Sequence, residues 1–197
     1  MRIFFLLIFS LYSSYGFSID MDNIFEKLSE IKSVKADFYQ ETTIANFGTD
    51  AYTGTITLLA GEKVLWNYTS PYKQYYFFTK DTMEYYDSAT EQFIRQKVTS
   101  SGSNNIVFQI LIDLNEAKKT FNFTSIDENS VKLEPKTDIG LKYLILQFSD
   151  IYIKKIVSED LNGNKTEITF NNVILNPKLT ESDFNRDIPP GTEIFNY

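Results

Sequence analysis

Apolar and polar residues alternate along most of the chain, and a period of two predicts β-strands. The segment 33–40 is a clear example, because Val34, Ala36, Phe38 and Gln40 fall on one face of an extended chain. We therefore expect strands to form most of the structure.

A second clear strand is predicted at 63–68. Its alternation places Val64, Trp66 and Tyr68 on one face and Leu65 on the other. The same pattern, with turn residues between the runs, predicts further strands. These are 52–59, 74–79, 82–87, 92–98, 121–126, 131–135, 141–148, 153–159 and 165–173.

One segment near the start has helical spacing instead. Ile24, Leu28 and Ile31 fall at i, i+4 and i+7, which is one face of a helix. Asp22 is a suitable N-cap. We expect this helix to end near Lys32.

A second, apolar helix is predicted in mid-chain, at 103–114. The segment 160–164 is typical of a hairpin turn, and the residues after 173 predict an irregular tail. Together the elements predict an α+β domain with one strongly curved antiparallel sheet and two or three short helices. A curled sheet that does not close leaves a mouth, which only the helices could cover.

The chain begins with a charge, Arg2, followed by a short apolar run and then small residues. This layout predicts a secretory signal peptide at residues 1–18, cut after Gly16 or Ser18. The apolar run is shorter than the roughly 20 residues that a bilayer-spanning helix needs. We therefore expect residues 19–197 to form a single exported, soluble domain.

The composition argues against several function classes. The sequence has no histidine and no cysteine, so the usual general base, the thiolate nucleophile and the acylated cysteine of a lipoprotein are all absent. Asp87 and Glu91 could form an acid–base pair, but solvated turn residues are the favoured interpretation. We expect no enzymatic activity, no metal site and no cofactor.

Charge and aromatic content point towards apolar ligands. A net charge of -7 is unsuited to nucleic acid and to anionic lipid headgroups. The chain carries 17 Phe and 13 Tyr, and the run QYYFF at 74–78 places rings on both faces of one strand. Either both faces are covered as ordinary core, or one face lines a cavity.

Several short motifs follow one another along the chain. They are LSEIKSVKADFYQ at 28–40, GTI at 54–56, WNYTSP at 66–71, MEYYD at 83–87, EQ at 91–92, DF at 183–184 and PPGTEI at 189–194. In this order and spacing they resemble the LolA family of periplasmic lipoprotein carriers. The resemblance covers nearly all of residues 19–197, and the apolar helix in mid-chain occupies the place of the family's lid helix.

The resemblance implies an unclosed β-barrel with a helical lid and an apolar cavity. It implies a periplasmic chaperone that takes lipoproteins from an ABC-type exporter in the inner membrane. The acyl chains would be delivered to a receptor in the outer membrane, or to that membrane itself. We expect a monomer that needs no cofactor and binds no nucleic acid.

The resemblance also implies which residues contact lipid. Carried over position by position, the cavity walls are Phe38, Ile56, Leu58, Val64, Trp66, Tyr68, Phe77 and Tyr85, and the lid residues are Ile106, Ile110 and Leu111.

One departure from the family concerns the lid. The family usually has an Arg-Pro pair in the loop after the second strand, and that arginine holds the lid. The matching positions here are Ala60 and Gly61, and the nearest cation is Lys63. A lysine ammonium is a poorer clamp than a guanidinium, so we expect a lid held mainly by packing.

Two other interpretations of such a chain remain. A periplasmic sensor domain of similar fold could use lipid binding to regulate a partner. A general carrier of small ligands, of the lipocalin type, would close its barrel and place its helix near the end of the chain.

Overall fold

The computed structural model describes residues 21–98 and 114–197. The predicted signal peptide at 1–18 lies outside these ranges, and so does the predicted helix at 103–114 except for its last residue. Within the two described ranges, no helix is long and apolar enough to cross a membrane.

The predicted N-terminal helix is present as α1, Met21–Ser29. It ends before Lys32 because the first strand begins at Ser33. The Lys32 ammonium donates to the carbonyl oxygen of Ser29 at 2.7 Å, where a cation is favourable at the negative end of a helix. A second helix, α2, spans Leu114–Thr120, starting where the mid-chain helix was expected to end.

The strands are numbered in chain order. They are β1 Ser33–Ile44, β2 Gly48–Leu59, β3 Lys63–Ser70, β4 Gln74–Thr79, β5 Thr82–Asp87, β6 Gln92–Lys97, β7 Phe121–Asp127, β8 Ser130–Pro135, β9 Leu141–Ser149, β10 Tyr152–Asp160, β11 Lys165–Leu175 and β12 Glu193–Asn196.

Every strand that the alternation predicts is present. The first two strands differ most from the prediction. β1 continues beyond 40 and β2 begins before 52, and the two strands pair with each other as far as Ile44 and Gly48. The hairpin turn at 160–164 is also confirmed. Its Asp160 carboxylate accepts hydrogen bonds from the backbone N–H of Asn162 at 2.8 Å and of Asn164 at 2.9 Å.

The described strands form one 12-stranded sheet in the order β12-β6-β5-β4-β3-β2-β1-β11-β10-β9-β8-β7. The two halves of the sheet meet where β1 pairs antiparallel with β11, from Val34 opposite Leu175 to Thr43 opposite Lys165. Within the described chain, β7 and β12 are the two edges, so the sheet remains unclosed.

The tail is more regular than the sequence indicated. A 3-10 helix spans Glu181–Phe184, and β12 pairs parallel with β6, with Glu193 opposite Gln92. The prediction of an irregular tail was therefore wrong at these residues. The reason is non-local, because β12 is held by the backbone of β6, which lies far away in the sequence and would otherwise be an edge strand.

The two faces of the sheet carry separate apolar clusters. We call the side with the larger cluster the inner face. Its buried members are Ala36, Phe38, Ile56, Leu58, Val64, Trp66, Phe78, Met83, Ala117, Phe121, Val131, Leu133, Leu144, Leu146, Ile156, Ile168 and Phe170. The smaller outer-face cluster contains Leu65, Tyr75, Phe77, Tyr86, Phe93 and Phe184. The predicted alternation of Val64 and Trp66 against Leu65 is thus confirmed.

Ring contacts show that the sheet curls towards its inner face. Trp66 lies on β3 and Phe170 on β11, three strands apart, which is about 14 Å along a flat sheet. Their ring centroids are nevertheless 5.8 Å apart. The inner face is therefore strongly concave, as the sequence pattern predicted.

The segment after β11 covers the outer face. Phe184 is buried with its ring centroid 6.3 Å from that of Phe77. The buried Glu84 carboxylate accepts from Arg95 at 2.9 Å and from Arg186 at 2.6 Å. Arg186 also lies 3.7 Å from the centroid of the Phe77 ring. This segment therefore packs against the outer face of the sheet.

Candidate functional site

The inner face brings together most of the residues that were predicted to line a cavity. Seven of the eight wall residues belong to the inner-face cluster or pack against it. They are Phe38, Ile56, Leu58, Val64, Trp66, Tyr68 and Tyr85. They lie on β1, β2, β3 and β5, which are four of the five adjacent strands β1 to β5.

Phe77 is the exception, and its placement in the wall was wrong. It pairs with Leu65 across β3 and β4, and both residues belong to the outer-face cluster. Residues 75–78 are all aromatic, so the sequence does not indicate which of these side chains face inwards. The register with β3 shows this, because it places Tyr76 opposite Trp66 on the inner face.

The wall contains residues that the sequence did not single out. Tyr76, Phe78 and Met83 line the inner face on β4 and β5, and Phe170 lines it on β11. The alternation of β3 could have identified the first two, had the pairing of β3 with β4 been known. Phe170 becomes a wall residue only because β11 is the neighbour of β1, which local sequence does not reveal.

The predicted lid residues, Ile106, Ile110 and Leu111, lie outside the described residues. The two described helices contact each other. The Lys118 ammonium on α2 is 3.2 Å from the Asp22 carboxylate and 4.3 Å from the centroid of the Phe25 ring on α1. Phe25 also meets Phe123 of β7 edge to face, so α1 reaches the edge of the sheet.

The Lys63 side chain contacts the tail segment on the outer face. Its ammonium lies 2.7 Å from the Glu181 carboxylate and 4.6 Å from the centroid of the Phe184 ring. The cation nearest to the missing family arginine therefore holds the tail segment.

A tight cluster of rings forms the centre of the inner face. Phe38 and Trp66 are 1–2 % exposed, and their ring centroids are 4.7 Å apart. The Phe38 ring packs over Gly54, where a Cβ atom would overlap both that ring and the carbonyl oxygen of Asn67. The GTI motif at 54–56 thus has a steric cause, since only glycine leaves room for the ring.

Tyrosines occupy the inner face towards the end of the sheet where the β1–β2, β3–β4 and β5–β6 turns lie. Tyr52, Tyr68, Tyr76 and Tyr85 form a ladder across β2 to β5, with successive centroid distances of 5.8, 6.4 and 4.6 Å. The Tyr68 hydroxyl donates to the side-chain oxygen of Gln40 at 3.0 Å. Burial, and then the neighbouring tyrosine, raises the pKa of Tyr68 and of Tyr85, so both hydroxyls remain protonated.

Asp87 and Glu91, which were considered as an acid–base pair, lie at the turn between β5 and β6. Asp87 accepts hydrogen bonds from the Tyr85 hydroxyl at 3.0 Å and from the backbone N–H of Ala89 at 2.7 Å. Glu91 occupies the same turn with a positive φ of 53°. Asp87 therefore caps a turn at the end of β5.

Together, the curled open sheet and its continuous apolar inner face are typical of a class of protein that binds apolar ligands. A family model described as "Outer membrane lipoprotein carrier protein LolA" matches residues 29–187. The chain belongs to the LolA family. That family is one of carrier proteins, in agreement with the expectation of a protein without enzymatic activity.

Individual relatives agree with this assignment. An "Outer-membrane lipoprotein carrier protein" of Francisella philomiragia is 27% identical over 95% of this chain and 93% of its own length. One from Francisella tularensis subsp. novicida is 28% identical over 96% of this chain and 93% of its own. The crystal structure of a LolA superfamily protein from Nitrosomonas europaea has the same fold, with a TM-score of 0.51 and 14% identity over 86% of this chain and 99% of that one.

Proposed function

We propose that this protein is a periplasmic carrier that binds the acyl chains of lipoproteins against its inner face and moves them from the inner to the outer membrane. The observation that supports this best is the inner face itself. It is a continuous concave surface of aromatic and aliphatic side chains, with no charged residue among the described members of the cluster.

The physical requirements of transport match this surface. An acyl chain in water costs about 0.8 kcal/mol for each exposed CH₂ group, so it cannot cross an aqueous space unprotected. A carrier must also release its cargo, which favours non-directional apolar contacts. A sheet that is not closed provides an opening through which the chains enter and leave.

The proposed location and partners extend what the names of the relatives say. The names of the relatives, outer-membrane lipoprotein carrier proteins, support a lipoprotein cargo. We propose in addition a periplasmic monomer that receives this cargo from an ABC-type exporter of the inner membrane and passes it to an outer-membrane receptor or to the membrane itself. The signal peptide proposed at residues 1–18 agrees with this route. Protein isolated from the periplasm should begin after Gly16 or Ser18, and an intact N-terminus at Met1 would contradict the proposed export.

Two neighbouring phenylalanines of β4 provide a matched test of lipid binding. Phe78 is on the inner face and Phe77 on the outer face, and both are buried. We expect Phe78→Leu to weaken binding of a synthetic diacylated lipopeptide several-fold, and Phe77→Leu to leave it close to the unchanged protein. Titration of the lipopeptide measures the affinity of each variant. Thermal unfolding of each variant is the control for folding.

The carrier proposal would be contradicted if the unchanged protein bound no lipopeptide, or if the outer-face variant lost as much affinity as the inner-face variant. Mass spectrometry of molecules that co-purify from the periplasm then identifies the natural cargo. Lipoproteins are expected among them.

A further inference from the structure

The polarity of the inner face changes from apolar to polar along each of six adjacent strands, at a level that steps between some neighbouring strands. On β1 the inward residues change from Phe38 to Gln40, and on β3 from Trp66 to Tyr68. The boundary steps by one inward residue between β2 and β3, where Gly54 lies opposite Tyr68, and again between β3 and β4, where Trp66 lies opposite Tyr76. The corresponding pairs on the other four strands are Gly54 and Tyr52 on β2, Phe78 and Tyr76 on β4, Met83 and Tyr85 on β5, and Ile168 and Thr166 on β11.

Beyond this level the inward side chains form a hydrogen-bonded belt. Tyr68 donates to the Gln40 side-chain oxygen at 3.0 Å, and the Gln40 amide nitrogen donates to the Thr42 hydroxyl at 3.1 Å. The Thr42 and Thr166 hydroxyls are 3.2 Å apart, which continues the belt onto β11. On the other side, Tyr85 donates to Asp87 at 3.0 Å.

Apart from Asp87, which is buried, the belt residues are only partly buried, in contrast to the rings below them. Tyr68, Tyr76, Tyr85 and Gln40 are half-buried, whereas Phe38 is 2 % exposed. A ligand that lies along the inner face would therefore have its apolar part on the buried end and any polar part beside the belt. Tyrosine hydroxyls and a glutamine amide can turn to donate to a new acceptor.

We propose that the belt, defined as Gln40, Thr42, Tyr52, Tyr68, Tyr76, Tyr85, Asp87 and Thr166, is the subsite for the ester-linked glyceryl group of the cargo and fixes the direction in which the acyl chains lie. This inference rests on the proposed function. Ester carbonyls are acceptors that fit neutral hydroxyl and amide donors. The chains then run from the belt towards the Val64 and Phe78 end of the inner face.

The belt also selects against one class of lipid. A phosphate headgroup requires arginine or lysine partners, and the belt contains none, whereas Asp87 adds a negative charge. Diacylglyceryl groups without a phosphate are therefore preferred over phospholipids with the same chains.

An ester and an ether probe separate hydrogen bonding from apolar packing. A dipalmitoylglyceryl-cysteine peptide has carbonyl acceptors, and its dihexadecyl ether analogue lacks them. We expect Tyr68→Phe, and independently Tyr85→Phe, to weaken binding of the ester to the full chain by about threefold to tenfold, the effect of one lost neutral hydrogen bond. Binding of the ether should change less than twofold in both variants.

Tyr39→Phe is the matched control, because Tyr39 lies on β1 but is 40% exposed and its hydroxyl bonds to Glu41. Equal losses of affinity for the ester and the ether, or no loss of affinity for the ester in either variant, would overturn the proposed subsite. Neither result would contradict lipid binding itself. Binding of dipalmitoyl phosphatidylglycerol as tight as that of the ester peptide would overturn the selection. If the unchanged protein binds neither peptide, the carrier function fails together with the subsite.

Discussion

At the scale of single residues, Gly54 determines how closely the central rings of the inner face can pack. Its missing side chain is the space that the Phe38 ring occupies, and Phe38 in turn contacts Trp66. Its backbone does not need glycine for a positive φ, unlike Gly61 with φ of +73°. The requirement at Gly54 is steric.

Gly54→Ala should lower the free energy of unfolding by about 1–3 kcal/mol, because the new Cβ would overlap a backbone carbonyl that cannot move aside. Urea unfolding followed by the fluorescence of Trp66, the single tryptophan of the chain, measures the change. Thr55→Ala, on the exposed neighbouring position of β2, is the control. Similar small effects of both substitutions would show that the ring and the carbonyl can rearrange.

The residue scale also shows the limit of sequence-based prediction. Phe38 and Trp66 were assigned to the face on which they lie, because each adjoins a polar residue, Asp37 or Asn67. Phe77 was not, because its neighbours on both sides are also aromatic. When every residue of a run is aromatic, the sequence does not indicate which side chains face inwards. Only the pairing of β4 with β3 shows this.

At the scale of elements, the tail is attached to the outer face by ion pairs to three different strands. Lys35 of β1 contacts Asp183, and Lys63 of β3 contacts Glu181. The third pair joins Arg186 to the buried Glu84 of β5. Because these partners are distant in sequence, the sequence pattern gave no indication that the tail is ordered.

Arg186→Gln should loosen the tail, since it leaves part of the Glu84 charge buried and uncompensated. We expect a loss of about 2 kcal/mol, less than for a fully broken buried pair because Arg95 remains in place. Hydrogen exchange at β12 should become faster. Glu181→Gln, which removes a pair whose carboxylate is 91% exposed, should have an effect below about 1 kcal/mol.

Asp183 should make the attachment of the tail sensitive to acid. Hydrogen bonds from Lys35 and from the backbone and hydroxyl of Thr180 lower the pKa of Asp183 from 3.8 to about 2. The folded pKa is below the unfolded one, so the stabilisation is complete above about pH 4 and is lost as the pH falls towards 2. NMR titration of the carboxyl group should show this midpoint, and Lys35→Met should raise it towards 3.8. An unchanged midpoint in the variant would rule out the ion pair as the cause.

At the scale of the whole molecule, the two halves of the sheet share one inner-face cluster. Phe38 and Trp66 come from the first half, and Leu144 and Phe170 from the second. The strands could be predicted from local alternation, and the family motifs indicated the overall fold. The order of the strands could not be derived from alternation, since it depends on the pairing of β1 with β11.

The shared cluster predicts one cooperative unfolding transition. Leu144→Ala on β9 should shift the transition seen by Trp66 on β3, with a loss of about 2–5 kcal/mol. Circular dichroism should report the same midpoint. Leu161→Ala, at a turn position that is 57% exposed, should shift neither signal appreciably. Separate transitions for fluorescence and circular dichroism would mean that the two halves unfold independently.

The central position of β1 has a consequence for how a nascent chain acquires this structure. β2 follows β1 after a short turn, but β11 lies more than a hundred positions further along. While the chain folds, β1 therefore remains an open edge until β11 is available, although β2 to β6 can pair earlier. Lys35, Asp37 and Glu41 place charges along that edge, and charges on an unpaired strand discourage the addition of a foreign strand. We therefore expect these three side chains to limit aggregation of the partly folded chain until β11 pairs with β1.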